Sequence, residues 1–124
     1  MENPEIHIGG GQHVNPDKIK LLISDINYTK VFFVDGSKTL VSTTIGTIEN
    51  RLPKNDFIRV NRGTIINRST ISNYFIRPTF DEVRLTDASF LKVSRRRRME
   101  MRELLSWLQC SEFPKTKIAP NLNS

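Results

Sequence analysis

The feature that most constrains this chain is a series of short runs rich in β-branched and aromatic residues, spaced about eight to twelve residues apart and punctuated by turn formers. They are LLISD (residues 21–25), KVFFVD (30–35), TLVST (39–43), FIRV (57–60), TIIN (64–67), ISNYFI (71–76), EVRLT (82–86) and FLKV (90–93). Asp35-Gly36 is a hairpin signal, and Pro78 and Asp87 mark further turns. The pattern predicts an all-β, mainly antiparallel fold. Two helices interrupt it. In TTIGTIENRL, Ile45, Ile48 and Leu52 fall at i, i+3, i+7, with a threonine available as N-cap and Pro53 as a stop, so a short helix is expected over residues 44–52. Over residues 95–109, Met101, Leu104, Leu105 and Leu108 form one apolar stripe behind Ser94 as N-cap.

A length of 124 residues predicts one domain. Its expected extent is residues 16–109, with a flexible segment at 1–15, where Gly9-Gly10-Gly11 reads as a flexible turn, and a flexible tail at 110–124. The triple glycine is not a phosphate loop, since no Gly-Lys-Ser/Thr follows. Cys110 is the sole cysteine, so no intramolecular disulfide can form, and His7 and His13 cannot complete a zinc site with it at any usual spacing. We expect no metal and no cofactor. No basic flank with an apolar core opens the chain, and no stretch approaches the roughly 18 apolar residues that span a bilayer, so a cytoplasmic protein is expected.

The formal net charge is +6, with a sequence pI of about 9.8. The excess lies in one half: residues 57–98 hold ten Lys/Arg against three Asp/Glu. Arg95, Arg96, Arg97 and Arg98 open a predicted helix, where cations oppose the helix dipole at a cost of a few tenths to about 1 kcal/mol each. A negatively charged partner, most commonly a phosphate backbone, offsets that cost. Four successive helical residues point in four directions, so not all reach one duplex. Arg95 is the best candidate for a directed contact, and Arg98 is expected to act as a sequence-independent phosphate contact. Within FIRVNRGTIIN (57–67), Val60, Ile65 and Ile66 belong in a core, while Asn61, Arg62, Gly63 and Thr64 form a polar tip. Asn and Arg can read adenine and guanine edges by paired hydrogen bonds; the same tip is also compatible with an ordinary turn carrying a solvated arginine. The loop at 25–30 offers Asn27, Tyr28 and Lys30. Phe32, Phe33, Phe57, Phe75, Phe80 and Phe90 read as core residues rather than a base-stacking platform.

In order, the I-x-D-I-N-Y segment, the D-G hairpin, the T-x-x-x-I-E-x-x-L helix, FIRVNRGTIIN and the closing V-S-R-R resemble the LytTR family of bacterial DNA-binding domains, over residues 16–108. The resemblance implies an elongated fold of packed antiparallel sheets that reaches successive major grooves of double-stranded DNA with loops. It implies DNA contacts at Asn27, Tyr28 and Lys30, at Asn61, Arg62, Gly63 and Asn67, and at Ser94, Arg95 and Arg96. Many relatives carry histidine at the position of Asn61 and serine at that of Gly63. A receiver or membrane helices usually accompany the domain and neither is present here, so a free-standing transcriptional regulator or a piece of a larger protein is expected, the starting Met favouring the former. No small-molecule substrate is expected, and energetics favours two copies on direct repeats, with a homodimer on DNA as one form.

Two rival readings remain at this stage. One is a β-barrel that stacks single-stranded nucleic acid on aromatics. The other is a basic protein-interaction module, in which Trp107 could mark the contact. An enzyme is not expected: nothing resembles a triad, and Asp81-Glu82 with Asp87, the acidic residues of the basic half, read as turn residues.

Overall fold

The computed structural model describes residues 4–105. The chain divides into two compact units, one ending at Thr70 and the other beginning at Ile71.

In the first unit, β1 (Ile6–Gly9) and β2 (Gln12–Val14) form a hairpin, followed by β3 (Ile19–Asp25), β4 (Tyr28–Phe33), β5 (Lys38–Val41), α1 (Ile45–Glu49), β6 (Phe57–Asn61) and β7 (Thr64–Asn67). The last five strands make one antiparallel sheet in the order β5-β4-β3-β7-β6. Leu22 lies opposite both Val31 and Ile65, so their side chains share one face. That face meets Ile45, Ile48 and Leu52 from the helical segment and Ile8 from the hairpin, with Leu22, Ile48 and Ile8 all fully buried. Burial of one such side chain contributes about 1.5–3 kcal/mol. The i, i+3, i+7 spacing is therefore what places α1 on the sheet.

Residues 6–14 depart from the expected flexible segment. The triple glycine is the tip of the β1–β2 hairpin, with Gly9, Gly10 and Gly11 at φ 122°, 60° and 75°. These backbone conformations favour glycine. At Gly9 a Cβ would also lie 2.3 Å from the Thr43 hydroxyl oxygen.

In the second unit, β8 (Ile71–Ile76), β9 (Asp81–Leu85) and β10 (Phe90–Val93) make an antiparallel sheet in the order β10-β9-β8. A single 3-10 turn over Arg95–Arg97 leads into α2 (Arg98–Leu104). Tyr74, Val83, Val93, Met101 and Leu105 are buried. The predicted stripe holds at Met101 and Leu105, but Leu104 is partly exposed; Leu108, Trp107, Cys110 and the tail lie outside the described residues. Phe90 is not a core residue. It is 49% exposed, its ring centroid 5.9 Å from that of Phe75, with Arg84 over its face.

The β4–β5 and β9–β10 hairpins close in the same way. Gly36 donates its N–H to the Phe33 carbonyl (3.0 Å), and Ala88 donates to that of Leu85 (2.9 Å). Asp35 Oδ1 accepts from the N–H and hydroxyl of Ser37, and Asp87 Oδ1 accepts from those of Ser89. These Asp-x-Ser turns differ at the middle residue, which has φ 95° at Gly36 and φ 74° at Ala88. An alanine there carries about 1–2 kcal/mol of strain, partly offset by glycine's greater freedom in the unfolded chain. Ala88→Gly is thus expected to stabilise the protein by about 0.5 kcal/mol, seen as a rise in Tm of about 2–4 °C.

Candidate nucleic-acid interface

The register of the five-stranded sheet brings two hairpin tips to the same end. Asp25 pairs with Tyr28, which leaves Ile26 and Asn27 as the β3–β4 tip; Asn61 pairs with Thr64, which leaves Arg62 and Gly63 as the β6–β7 tip. Strands β3 and β7 are neighbours, and the Ser24 N–H donates to the Gly63 carbonyl at 2.8 Å. Asn27, Tyr28 and Arg62 are exposed, and Lys30 stands half-exposed, 3.9 Å from the Asp25 carboxylate. Tyr28 and Lys30 lie on the sheet face opposite Leu22.

Two residues that sequence reasoning passed over shape these tips. Ile26 has φ 57° and is 88% exposed, a conformation rare for a β-branched side chain and an unusual setting for an apolar one. Arg59 braces the second tip from behind. Its Nη1 donates to Glu49 Oε1 on α1 at 2.7 Å, its Nε to the Asn61 carbonyl at 3.4 Å, and its Nη2 to the Arg62 carbonyl. The alternation of FIRV marks only that Arg59 and Val60 face opposite ways.

Within the tip, Asn61 Oδ1 accepts the Gly63 N–H at 2.9 Å, so this side chain shapes the turn. Gly63 does not adopt a positive φ, and a Cβ there would make ordinary contacts, 3.6 Å from that of Ser24. Glycine is not required at this position. Asn67 is directed inward. It is 5% exposed, its Nδ2 donates to the Ile19 carbonyl at 2.8 Å, and its Oδ1 accepts from the Ser69 N–H (3.0 Å) and hydroxyl (2.8 Å). Asn67 therefore holds β7 to the start of β3 and presents no amide edge to a ligand.

The arginine run in the second unit splits by direction. Arg95 and Arg96 are exposed, and Arg97 lies 3.5 Å from Glu100. Ser94 occupies the N-cap position without a side-chain capping bond. Arg98 turns inward, which corrects the expectation of a phosphate contact: its Nε is 3.2 Å from Asp81 Oδ1, and its Nη2 donates to the Arg77 carbonyl at 2.7 Å. Asp81 opens β9 rather than sitting on a turn, and its side chain is fully buried. It also accepts from the Tyr74 hydroxyl (2.6 Å), Arg102 Nε (2.8 Å) and Arg102 Nη2 (3.0 Å).

Burial opposes ionisation of Asp81, but the hydrogen bonds from Arg102 and Tyr74 and the charges of Arg102 and Arg98 outweigh it, holding the carboxyl below its ordinary value. Burial, then the bond to Asp81, pushes the Tyr74 hydroxyl up. A depressed carboxyl stabilises the folded state above its unfolded value, near 3.8, and that contribution is lost as pH falls through the folded value. Between pH 6 and pH 2 the melting temperature of the wild type is expected to fall more steeply than that of Asp81→Asn.

The chain has eleven arginines, all among the described residues. Eight have a partner within the protein: Arg51, Arg59, Arg68, Arg77, Arg84, Arg97, Arg98 and Arg102. Three, Arg62, Arg95 and Arg96, extend into solvent with none among the described residues.

A family model for the LytTr DNA-binding domain matches residues 12–106, most of the chain. The chain belongs to the LytTR family. A solved LytTr DNA-binding domain from Bacillus cereus is similar to it in structure, with a TM-score of 0.69 at 20% identity, covering 85% of this chain and 97% of that one. No curated protein sequence matches. LytTR domains bind DNA and regulate transcription; they are not enzymes. The LytTR fold is mainly β here, as the spacing of the short runs predicts. Among the described residues, no group of three or more His, Cys, Asp or Glu could hold a metal ion, and no helix is long and apolar enough to cross a membrane.

Proposed function

We propose that this LytTR protein is a cytoplasmic transcriptional regulator that binds specific double-stranded DNA sequences in the major groove, paired on direct repeats. The observation that carries this reading is the division of the arginines: those without a partner among the described residues are the three that stand on a hairpin tip and at the start of the arginine run. A solvated guanidinium with no internal bond to break can offer paired donors to guanine or to phosphate. In this reading Arg62 reads a base from the β6–β7 tip, and Asn27 and Tyr28 make contacts from the neighbouring β3–β4 tip. Ile26 supplies an apolar contact of the kind a thymine methyl accepts. Lys30, Arg95 and Arg96 supply charge, with Ser94 beside them, while Asn61 and Gly63 shape the tip. Pairing on repeats follows from energetics, since one small module rarely combines tight binding with high specificity.

Selection from a random duplex pool at about physiological salt tests the proposal. The expected result is an enriched motif, repeated at helical-turn spacing. A flat pool with salt-labile binding would overturn sequence-specific recognition, and efficient competition by poly-pyrimidine single strands would replace it with a stacking mode.

A further inference from the structure

Four consecutive arginines in solution would form an undirected cloud of charge, yet here the last of them, Arg98, is held by a buried carboxylate. Asp81 is 0% exposed and takes hydrogen bonds from Arg98, Arg102 and Tyr74. Arg98, the fourth member of the run, is tied both to this carboxylate and to the Arg77 carbonyl, on opposite sides of the turn between β8 and β9. Arg102 lies one helical turn further on and meets the same carboxylate through two nitrogens, an arrangement that fixes orientation as well as distance. Two of the five cations between Arg95 and Arg102 are thereby drawn inward onto one carboxylate, which offsets one of their two charges. Arg95 and Arg96 precede the pinned residue and point to solvent.

We propose that Asp81 is a positioning residue for DNA recognition: by holding Arg98 and Arg102 it leaves Arg95 and Arg96 as the pair that meets phosphate and keeps the rest of the run from binding DNA indiscriminately. The proposal rests on the DNA-binding reading above. A neutral amide at position 81 removes the charge that holds both guanidinium groups, so they become available to any phosphate nearby. Affinity for arbitrary DNA then rises while the ordered contact pair is lost.

The test uses the full chain with two duplexes of equal length, one carrying the selected motif and one of random sequence. Each released arginine that reaches a phosphate adds about 0.9 to the slope of log K against log salt. For Asp81→Asn, folded by circular dichroism at the assay temperature, the slope on random duplex is expected to steepen by about 1–2. The preference for the motif duplex is expected to fall about tenfold, because the released arginines add sequence-independent phosphate contacts to the random duplex. A lowered Tm with slope and preference unchanged would make Asp81 a purely structural residue and overturn the proposal. If Asp81→Asn does not fold, Arg96→Gln and Arg98→Gln decide. Arg96→Gln should lower the wild-type slope by about 1 and Arg98→Gln should leave it unchanged; equal lowering by both would overturn the proposal. Wild-type protein that binds neither duplex would overturn the DNA reading and this proposal together, whereas a bound motif duplex with equal wild-type and Asp81→Asn slopes on the random duplex would overturn this proposal alone.

Discussion

Asn67→Ala is expected to lower the stability of the protein by about 2–4 kcal/mol while leaving the sequence preference of the folded fraction intact. The substitution strips partners from two backbone groups, the Ile19 carbonyl and the Ser69 N–H, and from the Ser69 hydroxyl. Ile19 is fully buried, so water cannot replace the lost donor at its carbonyl. An orphaned buried group costs about 1–3 kcal/mol, and the Ser69 N–H adds to it. The expected reading is a fall in Tm of about 10–20 °C, with the ratio of motif to random binding unchanged below the transition. A lost preference at unchanged Tm would instead restore the direct contact that family resemblance implies for this asparagine.

Arg62→Ala is the second large effect, and it falls on recognition rather than on folding. No partner within the described protein is lost, and the tip it leaves is held by Asn61 from within and by Arg59 from behind. The loss of a paired base contact is expected to cost about 1–3 kcal/mol on the motif duplex and much less on random DNA. Equal losses on the two duplexes would make Arg62 a phosphate contact. Arg59→Ala separates presentation from contact: the Arg62 side chain remains, its carbonyl loses its donor, and the preference for the motif should weaken while the salt slope stays close to that of wild type.

The eight predicted strands all formed because each carries its own evidence, an alternation of β-branched and aromatic residues between turn formers. The β1–β2 hairpin carries little. Its apolar residues, Ile6, Ile8 and Val14, are diluted by histidines and three glycines, and only packing against α1 and the sheet makes Ile8 a core residue. The arginine run exposes a different limit. Four identical neighbours give no sequence signal for which will turn inward; that depends on the phase of the helical turn and on Asp81, seventeen positions earlier. Asp81 was itself obscured, since an acidic pair after a proline reads as a turn until the arginines that bury it are placed. Ile26 fails the sequence rule in the opposite sense, because an isoleucine next to a strand reads as buried. Arg62, Arg95 and Arg96 stand out in the sequence for a simple reason: an arginine on a polar tip or at the exposed start of a helix has few partners to find, and among the described residues their side chains have none.

The β1–β2 hairpin also bears on where this domain can be cut. The family match begins at residue 12, the first residue of β2, and so leaves out β1. A fragment trimmed to the matched boundary would keep β2 without its partner and delete Ile8, opening a hole in the core roofed by α1. Homology and packing thus draw the amino-terminal border in different places. The physical border lies at least as far out as Ile6, and an expression fragment that respects it keeps the sheet's hydrophobic face sealed.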